Sequence, residues 1–371
     1  FKGVSKSMNQ FRPKFPMILD YILASESNST IGQPCSCGEP DSLHVCLCND
    51  CQHFEPSCRQ CFIKAHLGNP WHWAEVWNGK FFERQDISEL GHVVTIGHDH
   101  HEALHCPYGA VKDPLEFHLV HTNGVHKTKV YFCRCPLTRR DRMELCLRSR
   151  IFPGTVAEPR SRFTFAVLQD FHLQTLTSKK SAYDYIFAIR RKTNNAFSKR
   201  VPDVYPLFLR VQRIWISLTM FKRSGQVHGI DQHFPSRPAG SVAVPCFSCP
   251  ERGFNVSDTV MDTVTDEHLV QLFLMQDGHF GLQQFQKVDD PDDVSLLPGA
   301  GFFPRDSDYL PYERDFIVLN AKQKSTCSNF NALEMQNKLK FRGCVITGVV
   351  AVECGRHCVF LSMVDLRKGE R

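Results

Sequence analysis

The sequence has no apolar run close to the roughly 18 residues that a membrane-spanning helix needs, although 42% of its 371 residues are hydrophobic. It also lacks, at its start, the charged and then apolar leader with a small-residue cleavage site that is typical of secreted proteins. Internal repeats and long low-complexity segments are missing as well. We therefore expect a soluble, globular protein that neither crosses a membrane nor is secreted.

Cysteine is too sparse for a disulfide scaffold, which typically contains roughly 8–10% cysteine. The chain has 17 cysteines, an odd number and about 5% of the residues. Seven of them lie between Cys35 and Cys61, in Cys-x-Cys and Cys-x2-Cys steps. Such close pairs suit one metal ion better than bridges to distant partners, so we predict metal-bound thiolates and a reducing compartment.

Positive charge is concentrated in the middle of the chain. Between Arg134 and Arg223 there are 19 Lys and Arg against 6 Asp and Glu, a local excess of 13 positive charges in a chain whose net charge is +5. A basic region of this kind can attract phosphate backbones through the release of counterions. The pattern predicts salt-dependent DNA binding, with a solvated helical face as the alternative interpretation.

The strongest motif is a series of three close ligand pairs near the front of the chain. Its spacing is Cys48-x2-Cys51-x6-Cys58-x2-Cys61-x4-His66-x5-His72. Zinc prefers four tetrahedral thiolate or imidazole ligands, and a Cys-x2-Cys turn brings two sulfurs to one ion. Six ligands exceed one site and fall short of two. We therefore expect the second site to be completed from Cys35, Cys37, Cys46 or His53.

Two weaker ligand sets follow further along the chain. The first comprises His98, Cys106, Cys133 and Cys135, with His126 as a competitor for the fourth place. The second joins the Cys246-x2-Cys249 step to Cys354 and His357, with Cys327 or Cys358 as alternates. All of these sets contain enough ligands for closed sites, which favours structural over catalytic zinc.

Local patterns predict a mixture of helices and strands. Two runs of strand-forming residues flank Asn123-Gly124, the strongest short-range signal for a β-hairpin. Helical periodicity is seen over residues 163–176, 181–191 and 204–221, and Asp203 can cap the last of these helices. Residues 269–277 form an apolar run that predicts a buried strand ending on Asp277.

Several short stretches lie in order from about residue 40 to the end of the chain and together form a recognisable pattern. They include Trp77-Asn78-Gly79-Lys80, Asn123-Gly124-Val125-His126, Phe132-Cys133-Arg134-Cys135, Phe152-Pro153-Gly154-Thr155, Asp277-Gly278-His279-Phe280 and Asp365 to Arg371. In this order they resemble the CxC-type cysteine cluster of the KDZ (Kyakuja-Dileera-Zisupton) transposases of fungi and the transposase that follows it. In the family, the first catalytic Asp is usually followed by Ala-Asn-Phe-Arg and a basic run. In this chain, the sequence that follows the corresponding Asp277 is neutral.

The resemblance implies an α+β multidomain protein in four parts. These are a tail (1–34), a small zinc-stabilised cysteine-cluster domain with a β-hairpin (35–150), a basic helical region (151–240) and the first, truncated part of a ribonuclease-H-like α/β core (241–371). It further implies a DDE-type DNA transposase of the nucleus, DNA as the partner, and a homo-oligomer for the full-length protein. Structural Zn²⁺ would be accompanied by Mg²⁺ at Asp277, the first of three catalytic acids, if the full-length core is active.

Two other hypotheses compete with a transposase. One is a non-catalytic module from a decayed element that binds nucleic acid or protein and retains zinc without chemistry. The other is a B-box-like scaffold, because paired Cys-x2-Cys steps ahead of two histidines also suit protein-interaction domains.

Overall fold

Helices and strands are mixed along the chain, in an α+β arrangement. The computed structural model describes residues 6–26, 28–52, 55–97, 114–133, 141–156, 160–234, 237–279, 281–286, 291–312 and 343–367. None of the helices in these ranges is both long and apolar enough to cross a membrane. The chain divides into two compact units, Phe1–Gln212 and Arg213–Arg371.

The helices are α1 (Lys6–Phe11), α2 (Phe15–Ser25), α3 (Arg59–Ala65), α4 (Arg142–Arg148), α5 (Phe165–Ser178), α6 (Ala182–Thr193), α7 (Tyr205–Arg223) and α8 (Asp258–Thr263). Short 3-10 turns lie at Arg12–Lys14, Ser198–Arg200, Gln226–His228, Ile230–Gln232 and Glu267–Leu269. The strands are β1 (Cys46–Leu47), β2 (Ala74–Trp77), β3 (Phe82–Gln85), β4 (Val94–Ile96), β5 (Leu115–His121), β6 (Gly124–Phe132), β7 (Ile151–Pro153), β8 (Ser161–Thr164), β9 (Leu274–His279), β10 (Gln284–Phe285), β11 (Cys344–Ile346), β12 (Gly348–Cys354) and β13 (Phe360–Leu366).

A five-stranded sheet in the order β4-β6-β5-β8-β7 forms the centre of the first unit. The longest strand pair of the sheet is β5 with β6, which forms the antiparallel hairpin predicted at Asn123-Gly124. The last pair before the turn is His121 with Gly124. A Cβ atom at Gly124 would lie 2.8 Å from the Trp73 ring, and the residue has φ +155°. Glycine is therefore required at this turn both by the backbone and by the packing of the indole.

Side chains cap the starts of α6 and α7. Ser181 accepts a hydrogen bond from the Asp184 N–H at the start of α6, and Asp203 accepts one of 3.1 Å from the Tyr205 N–H at the start of α7. The helical periodicity predicted for these segments is thus confirmed. Residues 6–25, in the predicted tail, contain α1 and α2, and α2 has no buried residue.

Two small sheets lie in the described part of the second unit. One has the order β13-β12-β9, with both neighbouring pairs antiparallel, and the other joins β10 to β11. The predicted strand from residue 269 to Asp277 is wrong at both ends and in its burial: β9 begins at Leu274, continues to His279 and has no buried residue. Pairing starts at Leu274 because its partner Cys354 is the last residue of β12.

Candidate metal centres

Three groups of four cysteine and histidine side chains come together in the described part of the chain, each with its ligand atoms within 4.8 Å of one another. They are cluster A (Cys35, Cys37, Cys58, Cys61), cluster B (Cys48, Cys51, His66, His72) and cluster C (Cys246, Cys249, Cys354, His357). The described cysteines are all free of disulfides. Four thiolate or imidazole ligands are the donor set of closed zinc sites, so the clusters could hold metal ions such as zinc.

Cluster A forms around the N-terminus of α3. The Cys58 side chain caps this helix by accepting a hydrogen bond of 3.5 Å from the Cys61 N–H, and the Cys58 N–H donates to Cys35 Sγ at 3.4 Å. Cys37 Sγ lies 3.9 Å from Cys58 Sγ. A tetrahedral ion with Zn–S bonds of about 2.3 Å needs sulfurs about 3.8 Å apart, so this separation fits a zinc ion.

In the absence of a cation, the closely spaced thiols of cluster A do not readily carry more than one negative charge. The Cys37 backbone N–H lowers the pKa of Cys35 to about 6. The neighbouring Cys58 sulfur, together with burial, raises the pKa of Cys61 to about 12. A divalent cation would remove this conflict, because all four sulfurs could then ionise against its charge.

Cluster B has a histidine already set in the tautomer that a metal needs. His66 is 1% exposed, and its ring packs parallel to that of Phe62 at a centroid distance of 4.0 Å. Its Nδ1 lies 2.9 Å from the Phe62 carbonyl oxygen, which can only accept, so Nδ1 carries the proton. Nε2 therefore carries the lone pair, and it lies 3.4 Å from Cys51 Sγ. Metal-ligating histidines usually donate their other ring N–H to a carbonyl or carboxylate oxygen in this way.

The ligand pairs of clusters A and B are interleaved along the chain. The first and third pairs, Cys35/Cys37 and Cys58/Cys61, form cluster A, while the second and fourth, Cys48/Cys51 and His66/His72, form cluster B. Spacing alone left Cys35 and Cys37 among four alternates and could not assign the pairing. Of the other alternates, Cys46 is fully buried in the core beside Phe62 and lies outside both clusters, and His53 lies outside the described residues.

Cluster C brings together the four residues that the third predicted set contains. Cys249 Sγ lies 3.2 Å from Cys354 Sγ, and Cys246 Sγ lies 3.3 Å from His357 Nδ1. Burial opposes ionisation of Cys354, but hydrogen bonds from Cys249, His357 and the backbone N–H groups of Arg356 and His357 outweigh it and lower the pKa of Cys354 to about 6. Of the alternates, Cys358 is exposed and outside the cluster, and Cys327 lies outside the described residues.

The remaining predicted set cannot be assembled from the described residues. His98, Cys106 and Cys135 lie outside them, and Cys133 is buried just after β6, where its N–H donates to the Ile96 carbonyl. The set stays a prediction. His126, its predicted competitor, already has partners on both sides: Nδ1 lies 2.7 Å from Asp86 Oδ1 and Nε2 lies 2.9 Å from Asn123 Oδ1. The described contacts therefore place His126 in a buried hydrogen-bond network instead.

Asp277 is exposed in the middle of β9, opposite Ala351 of β12. Its Oδ1 accepts a hydrogen bond of 2.7 Å from the N–H of the next residue, Gly278. The β13-β12-β9 register pairs Asp277 with Ala351 and Ala351 with Met363, so Asp365, two residues further along β13, points to the same face of the sheet as Asp277. Burial raises the pKa of Asp365.

Comparison with known families gives two matches in series. Residues 87–197 match the CxC2 like cysteine cluster associated with KDZ transposases, and residues 270–371 match the Kyakuja-Dileera-Zisupton transposase. No curated protein and no solved structure matches the chain. Clusters A and B precede the first match, while cluster C joins Cys246 and Cys249, ahead of the second match, to Cys354 and His357 within it.

Proposed function

Because the chain carries a CxC2 cysteine cluster followed by a KDZ transposase domain, we propose that it is a zinc-organised, DNA-binding part of a DDE-type DNA transposase that acts in the nucleus. The observation that carries the proposal is the transposase match over β9, β12 and β13, because β9 contains Asp277. The ribonuclease-H-like character of this sheet is part of the proposal. A transposase family implies interaction with DNA.

Zinc in this proposal has a structural role. Clusters A, B and C each have a complete set of four protein ligands, which leaves no open position for water or substrate. Elemental analysis of the 371-residue chain, purified under reducing conditions, should give at least three zinc ions per chain if all three clusters are loaded. Absence of zinc, together with linked cysteines in mass spectrometry, would overturn this part of the proposal.

Asp277 is proposed to bind a catalytic divalent ion. Its exposure leaves it accessible to an ion, and Asp365 on the same face offers a second carboxylate on the sheet. Hard cations such as Mg²⁺ prefer carboxylate oxygens. Electron paramagnetic resonance of Mn²⁺, used in place of Mg²⁺, should show weaker binding after Asp277→Asn and unchanged binding after Glu267→Gln, an exposed acid outside the sheet. Equal Mn²⁺ binding by all three proteins would count against a metal-binding role.

DNA binding is proposed for the basic region between Arg134 and Arg223. Its local excess of 13 positive charges predicts duplex affinity that falls steeply as salt rises. The measurement is fluorescence anisotropy with labelled duplex DNA between low and moderate salt. An affinity that stays flat across this range would contradict phosphate binding by the basic region.

A non-catalytic zinc-dependent module is the second candidate function. The observation in its favour is the sequence after Asp277, where the described residues Gly281–Gln286 contain no Lys or Arg to contact DNA phosphates. For such a module, Asp277→Asn would leave Mn²⁺ binding unchanged, and the zinc content and DNA affinity would be retained. The Mn²⁺ measurement therefore separates the two candidates.

A further inference from the structure

The outer face of α6 is an unusual surface, because aromatic rings are exposed there beside basic side chains. The inner face buries Tyr185, Ile186 and Ile189. On the opposite side Tyr183 is 62% exposed and Phe187 is 43% exposed, one helical turn apart. Arg191, a further turn along, is exposed with its guanidinium 5.9 Å from the centre of the Phe187 ring.

The same pairing of an aromatic ring with an arginine is repeated just beyond the helix. Phe197 is 54% exposed, and the Arg200 guanidinium lies 4.5 Å from the centre of its ring. Arg200 belongs to the 3-10 turn Ser198–Arg200, which packs against α6. We call the exposed side chains Tyr183, Phe187, Arg191, Phe197 and Arg200 the α6 ridge.

Charge around the α6 ridge has one dominant sign. From Lys179 to Arg200 there are seven Lys and Arg against one acid, Asp184. Within the described residues, no carboxylate forms an ion pair with Lys179, Lys180, Arg191, Lys199 or Arg200. The ridge therefore offers a polyanion both positive charge and flat apolar faces.

We infer that the α6 ridge binds single-stranded DNA, with bases stacked on Tyr183 and Phe187 and phosphates held by the surrounding Lys and Arg. The rings of Tyr183 and Phe187 are parallel to within 1°, with centroids 6.4 Å apart, so they can contact successive bases, which are themselves parallel. Duplex DNA encloses its bases and would leave these faces unused, whereas single-strand binding proteins combine such rings with a basic groove. The inference rests on the proposed DNA-binding function and adds the form of DNA.

The test compares single-stranded and duplex DNA on the intact, zinc-loaded chain. Fluorescence anisotropy would use labelled oligo(dT) of about 16 nucleotides and a duplex of equal length. We expect the double variant Tyr183→Ala/Phe187→Ala to lose about five- to hundredfold in single-strand affinity and less than about twofold in duplex affinity. Phe187→Trp, which keeps a stacking face, should retain single-strand binding.

Two controls separate stacking from charge and from general damage. Phe81→Ala removes a ring that is 59% exposed and lies outside the ridge, and it should change neither affinity. Lys199→Gln/Arg200→Gln should weaken single-strand and duplex binding alike and reduce their salt dependence. An unchanged helical circular dichroism signal, together with unchanged zinc content, would show that the variants are folded.

The outcomes distinguish this inference from the proposed function. If duplex binding is salt-dependent but the aromatic variants weaken neither form or weaken both equally, the ridge does not stack bases, and a protein partner for the face becomes the better interpretation. If the chain binds neither form at low salt, the proposed DNA-binding function fails together with the inference.

Discussion

Two neighbouring cysteines differ in role, because one could bind metal and the other only packs in the hydrophobic core. Cys46 and Cys48 are both buried and two residues apart, yet Cys48 belongs to cluster B while Cys46 lies in the core, where burial raises its pKa to about 11. We expect Cys48→Ala to reduce the zinc content of the chain and Cys46→Ala to leave it unchanged. Elemental analysis of the two variants checks this, and equal zinc loss in both would contradict the ligand assignment.

A second prediction at this scale concerns the carboxylate of Asp86. It accepts hydrogen bonds from His126 Nδ1–H at 2.7 Å and from the Lys127 N–H at 2.8 Å, and His126 stacks on Trp73 at a centroid distance of 4.1 Å. Buried hydrogen bonds to a charged group contribute about 1.5–3 kcal/mol each. We therefore expect Asp86→Ala to lower the free energy of unfolding by about 3 kcal/mol, measured by chemical denaturation.

Glu116 is the matched control for Asp86. Its carboxylate pairs with Lys127 and Lys129 at 3.6 and 3.7 Å on the exposed surface of the same hairpin. Exposed ion pairs contribute about 1 kcal/mol or less, so Glu116→Ala should have a much smaller effect. Similar losses for the two variants would show that Asp86 does not hold a buried network.

At the level of elements, the interleaved ligand pairs make clusters A and B parts of one folding unit. The segment from Cys48 to Cys61 contains ligands of both, and α3 begins at the ligands of A and leads directly to His66 of B. If both clusters hold an ion, loss of either ion would therefore free a chain segment that the other ion needs. We expect Cys51→Ala, in cluster B, to remove zinc from cluster A as well, so that about two ions are lost.

Cluster C provides the contrast for this prediction, because its four ligands belong to the second unit. Cys249→Ala should therefore reduce the zinc content by only about one ion. Native mass spectrometry of the variants counts the bound ions directly. Loss of a single ion from Cys51→Ala would mean that clusters A and B fold independently.

Elements with a local signal could be predicted from the sequence, and elements defined by distant partners could not. Asn123-Gly124 and the Asp203 cap specify their structures within a few residues, and the hairpin and α7 follow. The limits of β9 depend on β12, more than 60 residues away in sequence, which ends at Cys354 in cluster C. An apolar run cannot show where its partner strand stops.

The candidate sites follow the same physical division. Cys-x2-Cys steps are local, so the members of clusters B and C could be proposed from spacing. The pairing of Cys35 and Cys37 with Cys58 and Cys61 depends on the path of the chain between them, which spacing does not contain. His126 was open to a ligand interpretation because its partner Asp86 is 40 residues away. Whether a histidine is a metal ligand depends on its burial and on its hydrogen-bond partners, which its sequence neighbours do not reveal.

In the whole molecule, most of the basic region lies in one unit and cluster C lies in the other. Most of the basic region from Arg134 to Arg223 lies in Phe1–Gln212, whereas all ligands of cluster C lie in Arg213–Arg371. Cys354 ends β12, and the Gly355 N–H donates to the Phe273 carbonyl just before β9, so an ion in cluster C would fix the strand that carries Asp277. DNA affinity should not depend on this ion.

Cys249→Ala therefore also tests whether cluster C stabilises the sheet that carries Asp277. Without its zinc, cluster C should no longer hold β9 against β12, and limited proteolysis with mass spectrometry should show faster cleavage near residues 270–279. Duplex affinity measured by anisotropy should stay within about twofold of the parent, because most of the charges proposed to bind phosphates lie in the first unit. A large loss of DNA affinity from this substitution would mean that the second unit also holds the DNA, and unchanged proteolysis would mean that the sheet carrying Asp277 does not need the ion.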